Sequence, residues 1–89
     1  MNEEKLIEIM SDDDIGGELL PESKDNALEG LEILNKFANK SVLEGASHDV
    51  IWSINIDEAI ENGITEEDVF KLRRLNWMLE DDDYFACFV

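Results

Sequence analysis

The chain has 89 residues, 44% of them hydrophobic, with 23 acidic against 7 basic residues and a formal net charge of -16 at pH 7. Its apolar share is too high for a disordered acidic tail, and its length suits one domain with one core. The charge, against about 2–8 in magnitude for a folded domain of this size, disfavours direct binding to nucleic acid or an anionic membrane. It favours basic partners instead: a nucleic-acid-binding groove, a basic toxin, a polycation or a metal ion.

Cys87 is the only cysteine, which excludes an internal disulfide. The start MNEEKLIEIM lacks the basic residues and apolar stretch of a signal peptide, and no apolar run approaches the length of a membrane span. The expected location is the cytoplasm. One proline and five glycines leave no long flexible linker.

In Glu3–Met10, the apolar Leu6, Ile7, Ile9 and Met10 predict about two turns of helix. Glu3 and Glu4 stand at its positive N-terminal end. Asp12, Asp13 and Asp14 precede two glycines and read as a loop, pinned to the core by Leu19, Leu20 and Pro21. Residues 1–23 as a whole read as a loosely attached acidic arm.

Ser23 or Asp25 supplies an N-cap for the clearest helix, from Asp25 to Asn39. Its Ala27, Leu28, Leu31, Leu34, Phe37 and Ala38 recur at helical spacing, and Glu32 and Lys36 have the favourable i, i+4 order. Val42–Ser47, around Gly45, reads as a turn or an irregular strand. His48–Ile56 is rich in β-branched and aromatic residues, so a strand is predicted. Val50, Trp52, Ile54 and Ile56 fall on one face and Ile51 on the other.

Asp57 caps a short helical turn that ends at Asn62-Gly63. Thr65-Glu66-Glu67-Asp68 has the form of a capping box, with Asp in place of the usual Glu. It opens a helix to about Leu75, with Val69, Leu72 and Leu75 inward and Phe70 flanking. Lys71, Arg73 and Arg74 suit its negative end, and Asn76 can take the left-handed conformation that stops it. The last stretch, WMLEDDDYFACFV, is an apolar run, a polar break and a second apolar run, the pattern of a β-hairpin. Glu80, Asp81, Asp82 and Asp83 form its tip, on a scaffold of Trp77, Phe85 and Phe88. The predicted fold is a single α+β domain. A three-stranded antiparallel sheet (His48–Ile54, Trp77–Glu80, Tyr84–Phe88) packs against two to four helices.

The acid is unevenly placed: net -7 over residues 1–23, -1 over 24–48 and -8 over 49–89. It clusters at Asp12–Asp14, Asp57–Glu58–Glu61, Glu66–Asp68 and Glu80–Asp83. Carboxylates at helix starts are stabilising, which accounts for the groups at Asp57 and Glu66. The two aspartate triplets have no such local reason, since adjacent aspartates repel and a turn needs only one. The residues expected to contact a partner are therefore Asp12, Asp13, Asp14, Glu66, Glu67, Asp68, Glu80, Asp81, Asp82 and Asp83.

No catalytic motif is present. Ser47-His48-Asp49 has the residue types of a triad, but strand neighbours point to opposite faces. Cys87 lies among apolar residues in an acidic chain, the setting of a structural thiol rather than a nucleophile. Neither triplet has the spaced loop pattern of a calcium site. No enzyme activity, cofactor or metal is expected.

The run HDVIW, then EEDVFKLRRLNW, then an acidic hairpin ending in FV, together with the helix ending LNKFA, resembles a family of small, acidic, mostly uncharacterised phage-encoded proteins. Asn76 stands where that pattern has Gly before the tryptophan, and residues 1–23 fall outside the likeness. In size, charge and lack of catalytic motif the chain is similar in kind to phage DNA-mimic inhibitors, including anti-restriction and anti-CRISPR proteins. Those occupy the nucleic-acid groove of a host defence protein, in the host cytoplasm. The physics is compatible. Duplex DNA carries a charge about every 1.7 Å of axis, carboxylates three or four apart on a helix have Cβ atoms roughly 5–6 Å apart, and arginine grips carboxylate and phosphate alike. The expected function is a non-enzymatic inhibitor that binds the basic nucleic-acid-binding surface of a partner. The alternative is an antitoxin or immunity-type protein that neutralises a basic toxin through a charged and aromatic interface.

Overall fold

Side-chain caps decide where the helices begin. The computed structural model describes residues 1–16 and 25–88. Helix α1 (Glu3–Met10) starts from Asn2, whose side chain accepts the Lys5 N–H at 2.8 Å. Helix α3 (Asn26–Asn35) starts from Asp25, which accepts the Leu28 N–H at 3.0 Å. The other candidate cap, Ser23, and the proposed pins Leu19, Leu20 and Pro21 lie outside the described residues.

Between α1 and α3 the expected loop at Asp12–Asp14 is instead a single helical turn, α2 (Asp13–Gly16). The Asp12 carboxylate accepts the Asp14 N–H at 3.0 Å, so the first aspartate caps the turn that the next two open. Helix α3 ends four residues before the predicted Asn39. The chain leaves it at Lys36 to bury Phe37, whose carbonyl accepts from Asn62 at 2.6 Å.

Four strands form one antiparallel sheet, one more than expected: β1 (Gly45–Ala46), β2 (Val50–Asn55), β3 (Met78–Glu80) and β4 (Tyr84–Phe88), in the order β1-β2-β4-β3. The extra strand is the irregular stretch around Gly45, paired through Gly45 with Trp52 and Ala46 with Ile51. Helix α4 (Ile56–Glu61) follows β2 directly and is capped by Asn55, not Asp57. Helix α5 (Glu66–Arg74) has the full capping box expected of Thr65 and Asp68, and Asn76 (φ 63) is left-handed as expected.

The alternation expected along β2 fails at its middle. The pairing with β4 shifts register between Trp52 and Asn55, a bulge that resets which side chains face inward. Ile51, across from the buried Cys87, and Ile54 both join the core, whereas Val50 and Trp52 do not. Ile56 is buried too, but from α4. Ser53 is buried as well, its hydroxyl satisfied by the Val42 carbonyl at 2.5 Å.

One core joins the layers. Leu6, Ile9 and Met10 of α1 are buried in it with Leu34, Ile54, Ala59, Val69, Leu72, Trp77, Phe85 and Cys87. Residues 3–10 are thus not a loose arm, because their apolar stripe is buried. Trp77 is fully buried against α3. Its indole N–H donates to the Asn26 carbonyl at 3.0 Å, and the Asn26 amide donates to the Leu75 carbonyl at 2.8 Å. A Cβ on Gly30 would lie 1.9 Å from the Trp77 Nε1, so only glycine lets the helix backbone approach the ring.

Candidate functional site

The ten carboxylates nominated from the sequence fall into two places. Asp12, Asp13 and Asp14 sit at the start of α2, which packs on α5, the helix opened by Glu66, Glu67 and Asp68. Arg73 clasps the two: its Nε donates to the Asp12 carbonyl at 3.1 Å, and its Nη2 lies 3.5 Å from the Asp13 carboxylate. Asp14 and Glu67 line one shallow groove with Ile15, Phe70, Lys71 and Arg74. The hairpin tip is elsewhere. Glu80 and Asp81 line a different depression with Glu44, Gly45, Trp52 and Tyr84.

Several of these carboxylates serve the fold. Asp68 accepts from the Thr65 backbone N–H at 3.2 Å and hydroxyl at 2.9 Å, and Lys36 approaches to 3.6 Å. Burial would raise its pKa, but the Thr65 hydrogen bonds and the Lys36 charge outweigh it and hold the carboxyl below the ordinary 3.8. Glu67 pairs with Lys71 at 3.5 Å on the helix surface. Asp81 (φ 55) and Asp82 (φ 53) occupy both central positions of the hairpin turn, closed by the Asp83 N–H on the Glu80 carbonyl at 3.0 Å. Two left-handed residues in a row make a type I′ turn, which Asp and Asn enter more readily than other residues with side chains. The third aspartate ties the tip down: its carbonyl accepts the Ile56 N–H at 2.9 Å. Asp12, Asp13, Asp81 and Asp82 therefore have a structural reason that the sequence did not show, whereas Asp14 and Asp83 contribute only backbone groups. Asp14, Glu66, Glu80, Asp81, Asp82 and Asp83 keep carboxylates with no partner among the described residues.

The sheet contributes what the charge count missed. Facing residues on adjacent antiparallel strands share a face, so Gly45, Trp52, Ala86 and Met78 form one row across all four strands. Val50 with Phe88, and Tyr84 with Glu80, extend the same face. This face lies opposite the core side chains Ile51, Leu79, Phe85 and Cys87. Phe88 is 59% exposed and Tyr84 41%, so Phe88 is not the buried scaffold expected of it; Trp77 and Phe85 are. The Trp52 N–H is shut off from solvent and finds no acceptor among the described residues. Period-2 alternation in Tyr84–Phe88 carried the signal, since it leaves Tyr84 and Phe88 on one side and Phe85 and Cys87 on the other.

No family model, curated protein or solved structure matches this chain. Among the described residues no three His, Cys, Asp or Glu side chains are grouped to hold a metal ion, and no helix is long and apolar enough to cross a membrane. His48 is exposed in the turn between β1 and β2. Cys87 is buried, its thiol pKa raised by burial and by the Asp25 charge.

Proposed function

We propose that the chain is a non-enzymatic inhibitor that binds the basic, nucleic-acid-gripping surface of a partner protein, in the manner of the DNA-mimic inhibitors of host defence. The observation that carries this reading is the confinement of the described cations to the helical layer. The sheet and its connecting turns bear Glu44, Asp49, Glu80, Asp81, Asp82 and Asp83, and neither residues 41–70 nor residues 75–89 contain a single Lys or Arg. The described basic residues belong to the helices and the link after α3, where several are engaged by carboxylates. A surface of one sign accelerates encounter with a basic groove and repels nucleic acid itself.

The test is competition. A partner captured from host lysate should lose its DNA or RNA when the chain binds, with an affinity that falls steeply as salt rises. A ternary complex in which the nucleic acid stays bound would overturn mimicry. Asn at Asp81, Asp82 and Asp83 removes three charges while still tolerating the left-handed turn, and should slow association and flatten its salt dependence. The exposed aromatics Tyr84 and Phe88 favour a second reading, neutralisation of a basic toxin through a charged and aromatic interface. Rescue of growth against a captured toxin, with no nucleic acid displaced, would select it.

A further inference from the structure

The geometry points to the face of the sheet opposite the core as a docking surface for a basic amphipathic helix of a partner protein. This rests on the proposal that the partner is basic, and adds where it sits and what it must carry besides charge. An antiparallel sheet with one solvated face usually alternates apolar inward with polar outward. Here the outward row is apolar: Val50, Trp52, Met78, Tyr84 and Phe88 surround the small, buried Ala86. Tyr84 and Phe88 are exposed, Val50, Trp52 and Met78 half-buried, and none of these five belongs to the core cluster.

Charge complementarity selects the occupant. Glu44, Glu80 and Asp81 line a depression with Trp52 and Tyr84 at the edge of this face, with no Lys or Arg on any of the four strands. A second copy would bring another -16 against the same rim, and like charges across an interface are repulsive. An anionic bilayer is repelled for the same reason. A helix with an apolar stripe and flanking Lys or Arg satisfies both the centre and the rim, and supplies a second helical layer that the described residues do not provide. Aromatic residues surrounded by polar rim are the composition of an interface hot spot. The buried Trp52 N–H on this face has no acceptor among the described residues.

Two synthetic peptides of equal positive charge test this, a Leu/Lys amphipathic helix and an oligolysine, titrated into the full chain by calorimetry and amide NMR. The amphipathic peptide should bind at least about tenfold tighter, with shifts centred on residues 50–52 and 84–88. Phe88→Ser and Tyr84→Ser, both at exposed positions that leave the core intact, should each remove most of that advantage without changing oligolysine binding. Equal binding of both peptides, unaffected by Phe88→Ser, would overturn the docking surface and leave the basic-partner reading standing. Failure of both peptides to bind at low salt would sink the basic-partner reading itself. Self-association at high salt that Phe88→Ser abolishes would assign the face to a second copy and overturn the proposal in favour of a homodimer.

Discussion

Replacing Gly30 by alanine should destabilise a helix that alanine would ordinarily strengthen. In an exposed helix interior, Gly→Ala gains about 1 kcal/mol. Here the added Cβ would sit 1.9 Å from Trp77 Nε1, 2.3 Å from Cε2 and 2.8 Å from Cδ1, about 1.5 Å short of ordinary contact. Overpacking of this kind costs roughly 1–3 kcal/mol. If the ring retreats, its N–H leaves the Asn26 carbonyl and stays buried, a further loss of about 1–3 kcal/mol. Against the helical gain the net is a loss of about 3 kcal/mol, which for a domain of this size lowers Tm by well over about 10 °C. Urea and thermal melts followed by circular dichroism measure it, and the cycle with Trp77→Leu isolates the cause. With leucine at 77 the same Gly30→Ala change should be neutral or stabilising. Stabilisation of the wild-type chain by Gly30→Ala, or an equal cost in both backgrounds, would refute the reasoning.

Other expectations follow from the caps, the turn and the charge. Asp81→Asn with Asp82→Gly keeps the type I′ turn and suits its two left-handed positions better, so the folded state should gain about 1 kcal/mol in urea melts. Asp68→Ala should cost about 1 kcal/mol at pH 7 through loss of the capping box. Because the folded pKa of Asp68 is lowered, its stabilisation is complete above about 3.8 and is lost as pH falls through the folded value. The gap between wild type and Asp68→Ala should therefore close in acid melts below that pH. Tm should rise as salt is added at neutral pH, since screening relieves the repulsion of a -16 chain more than it weakens the few exposed ion pairs. The Cys87 thiol, buried and with its pKa raised, should react with a thiol reagent only as fast as the chain opens; rapid labelling under native conditions would contradict its placement.

Local chemistry along the chain determined the helix start at Thr65, narrowed that of α3 to Ser23 or Asp25, and determined the helix stop at Asn76, the hairpin at Trp77–Phe88 and the α+β class. Each depends on groups within a few residues of one another: a carboxylate or hydroxyl facing a free N–H, or an apolar period of two or 3.6. Nothing local distinguishes Asn55 from Asp57 as the cap of α4, nor reveals that Asp12 caps a turn at α2, because both choices depend on where the chain enters from. The bulge in β2 was equally hidden. It arises where β2 must pair with β4 and still turn into α4, and it decides that Val50 and Trp52 face out while Ile54 faces in. Gly30 carries no sign in the sequence that Trp77, 47 positions on, will lie against it.

The carboxylates divide along the same line. That they are in excess, and that the strands carry no cation, is written in the composition. Which of them are spent on Arg73, Thr65 or a left-handed turn, and which are left facing solvent, depends on distances between segments far apart in the chain. The outward row of half-buried Val50, Trp52 and Met78 with exposed Tyr84 and Phe88 is of this second kind, because a side chain's neighbours across a sheet are set by strand pairing and register, which only the folded chain fixes.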